Sequence, residues 1–122
     1  MPGISYEISW IEAVPVISAP AEVDITNVDE LLQAMRLCTD SGHTTLVIDM
    51  SETTFCDSAG VNQLVRAQKR AAAAGGEVRL VISTAAVMRL LAIIGVDRVL
   101  PIFTSLEDAL DDEPAPVRSA PA

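Results

Sequence analysis

The hydrophobic and polar positions near the start of the chain alternate with a period of two, which is typical of a half-exposed β-strand. The apolar residues on one face of the segment 4–10 are Ile4, Tyr6, Ile8 and Trp10. A second apolar segment, 13–18, follows after a short turn, so we predict a hairpin of two strands. Pro15 has no backbone N–H and must therefore occupy an unpaired position or a bulge.

Three later segments, 26–40, 58–74 and 84–95, carry apolar residues at the spacing that places them on one face of a helix. Each of these segments ends at or just before glycine, a residue that commonly terminates helices. A fourth helix is predicted after Ser105, where Asp108 completes an approximate capping box. The chain therefore contains four predicted helices.

Three apolar runs, 44–50, 77–82 and 99–103, alternate with the helices. The first run is continuously apolar until its polar end, as expected of a central strand buried on both faces. Pro101 places the last run towards an edge. The order β-β-α-β-α-β-α-β-α predicts an α/β domain with right-handed parallel crossovers and a mixed sheet of about five strands.

Composition and charge exclude several classes of protein. The chain has 122 residues, half of them apolar, which is enough for the core of one domain. Its formal charge of −9 would repel phosphates, so we expect no direct nucleic acid partner. No apolar run approaches the ~18 residues of a membrane helix, and residues 1–10 lack the pattern of a signal peptide. We expect a cytoplasmic protein without membrane insertion.

Cysteine usage and the end of the chain complete this outline. Cys38 and Cys56 lie far apart without a second pair, so no zinc site is expected and both thiols should be free. Residues 112–122 are acidic and rich in Pro and Ala, which predicts a disordered tail after one domain over 1–111. No cofactor is indicated.

The candidate functional segment is DMSETTFCDSAGVNQL, residues 49–64, in which Asp57 and Ser58 stand at the start of a predicted helix. A serine there is well placed to accept a phosphate, because the free amides and the dipole of the helix start stabilise negative charge. The modification adds about −1.5 to −2 charges. A partner packed against the hydroxyl would then face a charged, hydrated group beside Asp57 and would dissociate.

Other interpretations of this turn stay open in the sequence. A nucleophilic Ser58 would need a base, yet the single histidine, His43, is predicted ~20 Å away at the other end of the preceding strand. Asp24, Asp49 and Asp57 are scattered carboxylates that would have to meet to hold a metal ion, and we expect no metal site. Asp57 or Ser58 also suits the N-cap position, which would make the turn structural.

Hydroxyl groups before the helix are alternative phosphate acceptors, but they lack its full set of free amides. They belong to Ser51, Thr53 and Thr54. Asp49 is expected to orient the same loop by accepting backbone N–H groups, and we assign a loop-orienting role to Ser51 as well.

Six motifs occur in the order of a known family. They are AEVD at 21–24, DMS at 49–51, FCDSAGV at 55–61, AGGEVRLV at 74–81, LAIIGVDRVLPIF at 91–103 and SLEDAL at 105–110. Over residues 4–111 the chain resembles the STAS domain of bacterial anti-sigma factor antagonists. The resemblance implies the STAS fold, with four helices packed mainly on one face of a central mixed sheet.

The resemblance also implies a non-enzymatic binding module in which Ser58 accepts the phosphate. The unphosphorylated protein would bind an anti-sigma factor of the GHKL serine kinase type and so release a sigma factor. Phosphorylation would end this binding, and a PP2C-type phosphatase would restore it. The implied contact residues are Glu22, Asp24, Asp57, Ser58, Ala59, Gly60, Asn62 and Gln63. Self-association as a weak homodimer stays open.

Two departures from the family pattern affect this surface. Ala21 replaces a family glycine, so the loop before Glu22 must turn differently if a positive φ angle is needed there. Asn62 and Gln63 stand where many relatives carry a small residue, and they would tune the choice of partner. Two other functions stay open: a STAS subunit of a membrane lipid or anion transport complex, and a small serine hydrolase that uses Ser58.

Overall fold

The structure, a computed structural model, describes residues 6–111, so the predicted tail at 112–122 lies outside the described residues. Its elements follow in the order β1 (Glu7–Ile11), β2 (Val14–Ser18), β3 (Glu22–Val23), α1 (Val28–Asp40), β4 (Leu46–Met50), β5 (Phe55–Cys56), α2 (Ser58–Ala73), β6 (Val78–Ile82), α3 (Ala85–Ile94), a 3₁₀ turn (Val96–Arg98), β7 (Ile102–Phe103) and α4 (Leu106–Ala109). Within 6–111, no helix is both long enough and apolar enough to cross a membrane.

Five strands form the central sheet in the spatial order β1-β2-β4-β6-β7. β1 pairs antiparallel with β2, and the other neighbours pair parallel. The mixed sheet of five strands predicted from the sequence is confirmed. Pro15 lies opposite Trp10, one position before the β2–β4 ladder begins at Val16, so its missing N–H falls outside that ladder.

The two faces of the sheet carry separate apolar clusters, because successive strand residues point to opposite sides. On one face, residues such as Ile17, Ile48 and Leu80 pack against α1, α2 and α3. On the other face, Val81 and Phe103 belong to a smaller cluster that α4 covers. The helices therefore lie mainly on one face, as predicted, and only the short α4 lies on the other.

A small second sheet, which the sequence analysis did not predict, positions the candidate site. β3 and β5 pair in parallel, with Glu22 opposite Phe55 and Val23 opposite Cys56. Each strand has two residues, which is too short to produce a periodic pattern. Their pairing brings the loop before α1 beside the start of α2.

Candidate functional site

The start of α2 is capped by the residue that precedes Ser58. Asp57 occupies the N-cap, and its Oδ1 accepts the Gly60 N–H at 2.9 Å. A carboxylate in this position satisfies one of the free amides of the helix start and suits the helix dipole. Ser58 is the first residue of α2, and its side chain is exposed. The capping role that the sequence left open between the two residues thus belongs to Asp57.

The second oxygen of Asp57 binds a different element. Its Oδ2 accepts the backbone N–H of Ile25 at 3.1 Å. One carboxylate therefore holds the helix start with one oxygen and the loop between β3 and α1 with the other. Because both acceptors lie on one rigid planar group, the position of this loop relative to Ser58 is restrained.

The loop between β3 and α1 is also fixed from within. Asn27 Oδ1 accepts the Tyr6 hydroxyl at 2.8 Å and the Asp24 N–H at 3.2 Å, while its Nδ2 donates to the Glu22 carbonyl at 2.8 Å. Asp24 Oδ1 accepts the Thr26 N–H at 2.9 Å. The predicted contact residue Asp24 therefore shapes this loop in addition to presenting charge.

Gly60 has a steric role in the site. A Cβ atom at this position would lie 2.8 Å from Cys56 Sγ and 3.0 Å from the Val23 carbonyl oxygen. Real Cβ atoms do not approach other atoms this closely, and a backbone carbonyl cannot move aside cheaply. Gly60 is buried, so it supports the turn from the inside and allows α2 to pack directly on β3 and β5.

The loop that leads to α2 is held by polar residues from the predicted set. Asp49 Oδ1 accepts the Ser51 N–H at 3.0 Å. Thr53 is fully buried, donates its hydroxyl to the Pro20 carbonyl at 2.8 Å and accepts the Thr84 hydroxyl with its carbonyl at 2.7 Å. A kinase cannot reach a hydroxyl in this position, so Thr53 is excluded as a phosphate acceptor.

The alanine that replaces the family glycine does not strain its loop. Among residues 6–111, the non-glycine residues with positive φ are Glu12 and Ala13, so Ala21 has an ordinary backbone conformation. Its carbonyl accepts the N–H groups of Thr54 at 2.8 Å and Phe55 at 3.2 Å. Ala21 therefore occupies this turn without the positive φ angle that would favour glycine.

Two exposed apolar side chains beside Ser58 were missed by the sequence analysis. Ile25 is 73% exposed and Phe55 is 50% exposed. Each stands in a polar stretch of the sequence, Ile25 between Asp24 and Thr26 and Phe55 after two threonines, and that polar context is the signal that could have identified them. We define the Ser58 surface by five exposed residues of β3, the loop that follows it, β5 and the first two turns of α2. They are Glu22, Ile25, Phe55, Ser58 and Asn62.

The remaining predicted contact residues are less accessible. Asp24, Asp57, Ala59 and Gln63 are partly buried, and both oxygens of Asp57 accept backbone N–H groups. They lie around and beneath the exposed residues of the Ser58 surface.

Three buried titratable groups, of which Cys56 directly precedes Asp57, favour their neutral forms. Burial, and then the negative charge of Asp57, raises the pKa of Cys56 to about 11. Burial also raises the pKa of Cys38 and is the largest cause of the raised pKa of Tyr6. Both cysteines are free. Because thiolates rather than thiols react, neither cysteine is suited to redox chemistry.

The alternatives of nucleophilic catalysis and metal binding find no geometric support. His43 packs edge-on against Trp10, with ring centroids 4.8 Å apart, before the start of β4. Ser58 lies beyond the other end of β4, a strand of 5 residues, so the two are separated by at least ~17 Å. Within the described part of the chain, no three His, Cys, Asp or Glu side chains are arranged to hold a metal ion.

These features define an α/β domain that presents an exposed serine on a capped helix start. The model of the STAS domain family matches residues 6–109, and the chain belongs to this family. No curated protein sequence matches the chain.

Solved structures of anti-sigma factor antagonists share the fold. One from Mycobacterium paratuberculosis is 27% identical, with a TM-score of 0.79 over 88% of this chain and 92% of that one. The antagonist SpoIIAA of Bacillus, in its unphosphorylated form, is 18% identical, with a TM-score of 0.73 over 87% of this chain and 93% of that one. The resemblance stated from the sequence motifs is thus confirmed.

A transporter also contains a domain of this fold. The murine anion transporter Slc26a9 is 24% identical, with a TM-score of 0.63 over 82% of this chain and 17% of that one. This likeness shows a shared fold alone.

Proposed function

We propose that this protein is an anti-sigma factor antagonist that binds its anti-sigma factor through the Ser58 surface, and that phosphorylation of Ser58 ends the binding. The exposed position of Ser58, at the first residue of a helix that Asp57 caps, carries the proposal. The protein acts as a binding module, and the anti-sigma factor, a GHKL-type kinase, supplies the catalysis. A PP2C-type phosphatase reverses the modification.

A phosphate on Ser58 is compatible with the folded domain. The hydroxyl is exposed, so the new group stays hydrated and displaces no core residue. The first amides of a helix have no partner within the helix, and they favour negative charge nearby. Asp57 engages the Gly60 amide, which leaves those of Ser58 and Ala59 at the helix start for the phosphate.

The same phosphate opposes docking of a partner. The exposed side chains of Ile25 and Phe55 belong to the loop that Asp57 binds and to the strand just before α2, so a partner anchored on both would lie over the start of α2 and Ser58. Exposed apolar residues of this kind are the usual anchors of protein interfaces. Burial of a doubly charged group without a counter-ion costs several kcal/mol, and the neighbouring carboxylate of Asp57 adds repulsion.

The acidic charge of the chain and the solved structures of SpoIIAA support this assignment. The chain carries 17 acidic and 8 basic residues, so a basic rim on the partner would accelerate its association. SpoIIAA, whose fold this chain shares, has been solved in unphosphorylated and phosphorylated forms. We carry over from that protein only the expectation that one domain tolerates both states.

The direct test uses a purified GHKL-type anti-sigma factor, ATP and the full chain. We expect mass spectrometry to locate the phosphate on Ser58. In calorimetric titrations, Ser58→Ala should bind the anti-sigma factor, and Ser58→Asp should bind at least ~100-fold more weakly. Ser41→Asp is the matched control, because it adds the same charge at an exposed serine just beyond the far end of α1.

Three results would contradict the proposal: phosphate on Thr54, no phosphate, or equal binding by Ser58→Asp and Ser58→Ala. The transport alternative predicts a different outcome, namely a permease or ATPase partner whose binding is unaffected by Ser58→Asp. The likeness to Slc26a9 concerns the fold and does not favour that alternative specifically.

A further inference from the structure

A recess of about 230 Å³ lies between α1 and α2, next to the start of β4. Met35, Leu46 and Ala71 are among its apolar lining residues, and Arg36 and Arg70 line it as well. The recess involves the C-terminal half of α2, a helix of 16 residues. It is therefore ~20 Å from Ser58 at the other end of that helix, and it does not belong to the Ser58 surface.

Small side chains on α2 create this space. Ala67 and Ala71 are one helical turn apart, are buried and line the recess opposite α1. A methyl group cannot fill the distance between two packed helices, and even the long side chain of Met35 leaves the volume empty. The recess is open to solvent on one side, where its lining residues Arg36, Arg70 and Ala74 are exposed, and its floor is apolar and buried.

Two positive charges line the same recess in an acidic protein. Arg36 and Arg70 are two of only 8 basic residues in the chain. The ion pair found within residues 6–111 joins Arg79 to Glu77, and neither Arg36 nor Arg70 has a carboxylate partner in that range. A guanidinium group matches the geometry of a carboxylate through two parallel hydrogen bonds.

We propose that this recess binds a small amphipathic carboxylate, with the carboxylate on Arg36 and Arg70 and the apolar body against Met35, Leu46 and the alanines. A cavity of ~150 Å³ accommodates benzene, so a volume of about 230 Å³ takes a somewhat larger body. A chain of about six to ten carbons fits this description. The site is independent of phosphorylation at Ser58.

A purely structural explanation accounts for only part of the arrangement. Arg70 lies in the last turn of α2, where a positive charge stabilises the carbonyl end of the helix. Arg36 is not in the last turn of α1, which has no basic residue there. Helix stabilisation also gives no reason for the empty volume between the arginines and the sheet.

The test is a calorimetric titration of the full chain with sodium octanoate, and with octanamide as the uncharged probe. We expect saturable octanoate binding and about tenfold weaker octanamide binding. Arg36→Gln and Arg70→Gln should each weaken octanoate binding about five- to tenfold. Arg66→Gln, the control at an exposed residue of α2 that does not line the recess, should change it less than about twofold.

Filling the recess provides the second arm of the test. Ala71→Leu occupies the interior, and Ala74→Leu blocks the recess from an exposed lining position, where it cannot disturb the core. Either variant, if folded by circular dichroism, should lose octanoate binding at least about tenfold. The proposal is overturned by the absence of saturation at ~10 mM octanoate, by unchanged affinity in the double arginine variant, or by unchanged affinity in Ala74→Leu.

Discussion

The backbone N–H of Ile25 donates to Asp57 Oδ2 at 3.1 Å, across 32 positions of the chain. The other oxygen of this carboxylate caps α2 through Gly60. The residue beside the candidate phosphate acceptor therefore determines both where the helix begins and where the neighbouring loop lies. Changes at Asp57 should alter the Ser58 surface even when Ser58 itself is unchanged.

Asp57→Ala removes both acceptors, and we expect the free energy of unfolding to fall by about 1–2 kcal/mol. Asp57→Asn keeps one carbonyl oxygen and should lose less. Urea denaturation gives the free energies, and amide hydrogen exchange at Ile25 reports on the loop. Ser105→Ala is the control, because it removes the cap of α4 without touching this loop. Equal protection of the Ile25 amide in Asp57→Ala and Ser105→Ala would contradict the bridging role.

Gly60→Ala should destabilise the domain by about 2–3 kcal/mol, because the new methyl group meets the Val23 carbonyl and Cys56 Sγ. Gly75→Ala is the matched control. Gly75 has a φ of +86°, and a methyl group added there would have no atom within 4 Å, so this variant should lose only about 1 kcal/mol, from its backbone conformation. Urea denaturation of both variants measures the difference, and equal losses would refute the close packing of α2 on β3 and β5.

Ile25→Ser and Phe55→Ser should change the free energy of unfolding by less than about 0.5 kcal/mol, because both side chains are exposed. If the proposed function is correct, each should weaken anti-sigma factor binding at least about tenfold. Ile93→Ser is the control, since Ile93 is 76% exposed on α3, outside the Ser58 surface. Calorimetric titration measures the affinity of all three variants for the anti-sigma factor. If Ile93→Ser loses as much affinity as Ile25→Ser and Phe55→Ser, the interface lies elsewhere.

Ala13→Gly should stabilise the protein. Glu12 and Ala13 form the turn between β1 and β2 with φ angles of 51° and 68°, a conformation that glycine adopts without strain. We expect a gain of about 0.5–1 kcal/mol, seen as a rise of a few degrees in Tm by calorimetry. Ala72→Gly, on an exposed position of α2, makes the same change within a helix and should lower Tm. A decrease in Ala13→Gly would be inconsistent with the turn.

The raised pKa of Cys56 predicts that stability falls at high pH. The pKa rises from its ordinary value of 9.0 to about 11 on folding, because of burial and then the charge of Asp57. Below pH 9 the thiol is protonated in both states. Between pH 9 and 11 the unfolded chain loses this proton while the native protein keeps it, so the free energy of unfolding decreases as the pH rises.

Urea denaturation between pH 8 and 10, in the presence of a reductant, tests this dependence. Cys56→Ala lacks the titrating group and should lose less stability over this interval than the wild type. Cys38, whose pKa burial also raises, contributes equally to both proteins. Identical pH dependence in the two proteins would show that Cys56 does not titrate differently on folding.

The periodicities of the sequence located the main elements closely. The helix predicted over 58–74 spans Ser58–Ala73, and the strand predicted over 77–82 spans Val78–Ile82. Such patterns are readable because each long element buries one face or both. β3 and β5 escaped prediction, since two residues carry no period and their pairing joins loops that are distant in the chain.

At the candidate site, the amino-acid sequence alone placed Asp57 and Ser58 at a helix start, because capping depends on residues within one turn of each other. The folded chain was needed to show that Asp57 is the cap, that its second oxygen accepts the Ile25 N–H, and that the side chains of Ile25 and Phe55 are exposed. The recess between α1 and α2 was likewise not predictable from the sequence and was found in the folded chain. Each of these features arises from contacts between segments far apart in the chain, and no local pattern of residues encodes which distant segments meet.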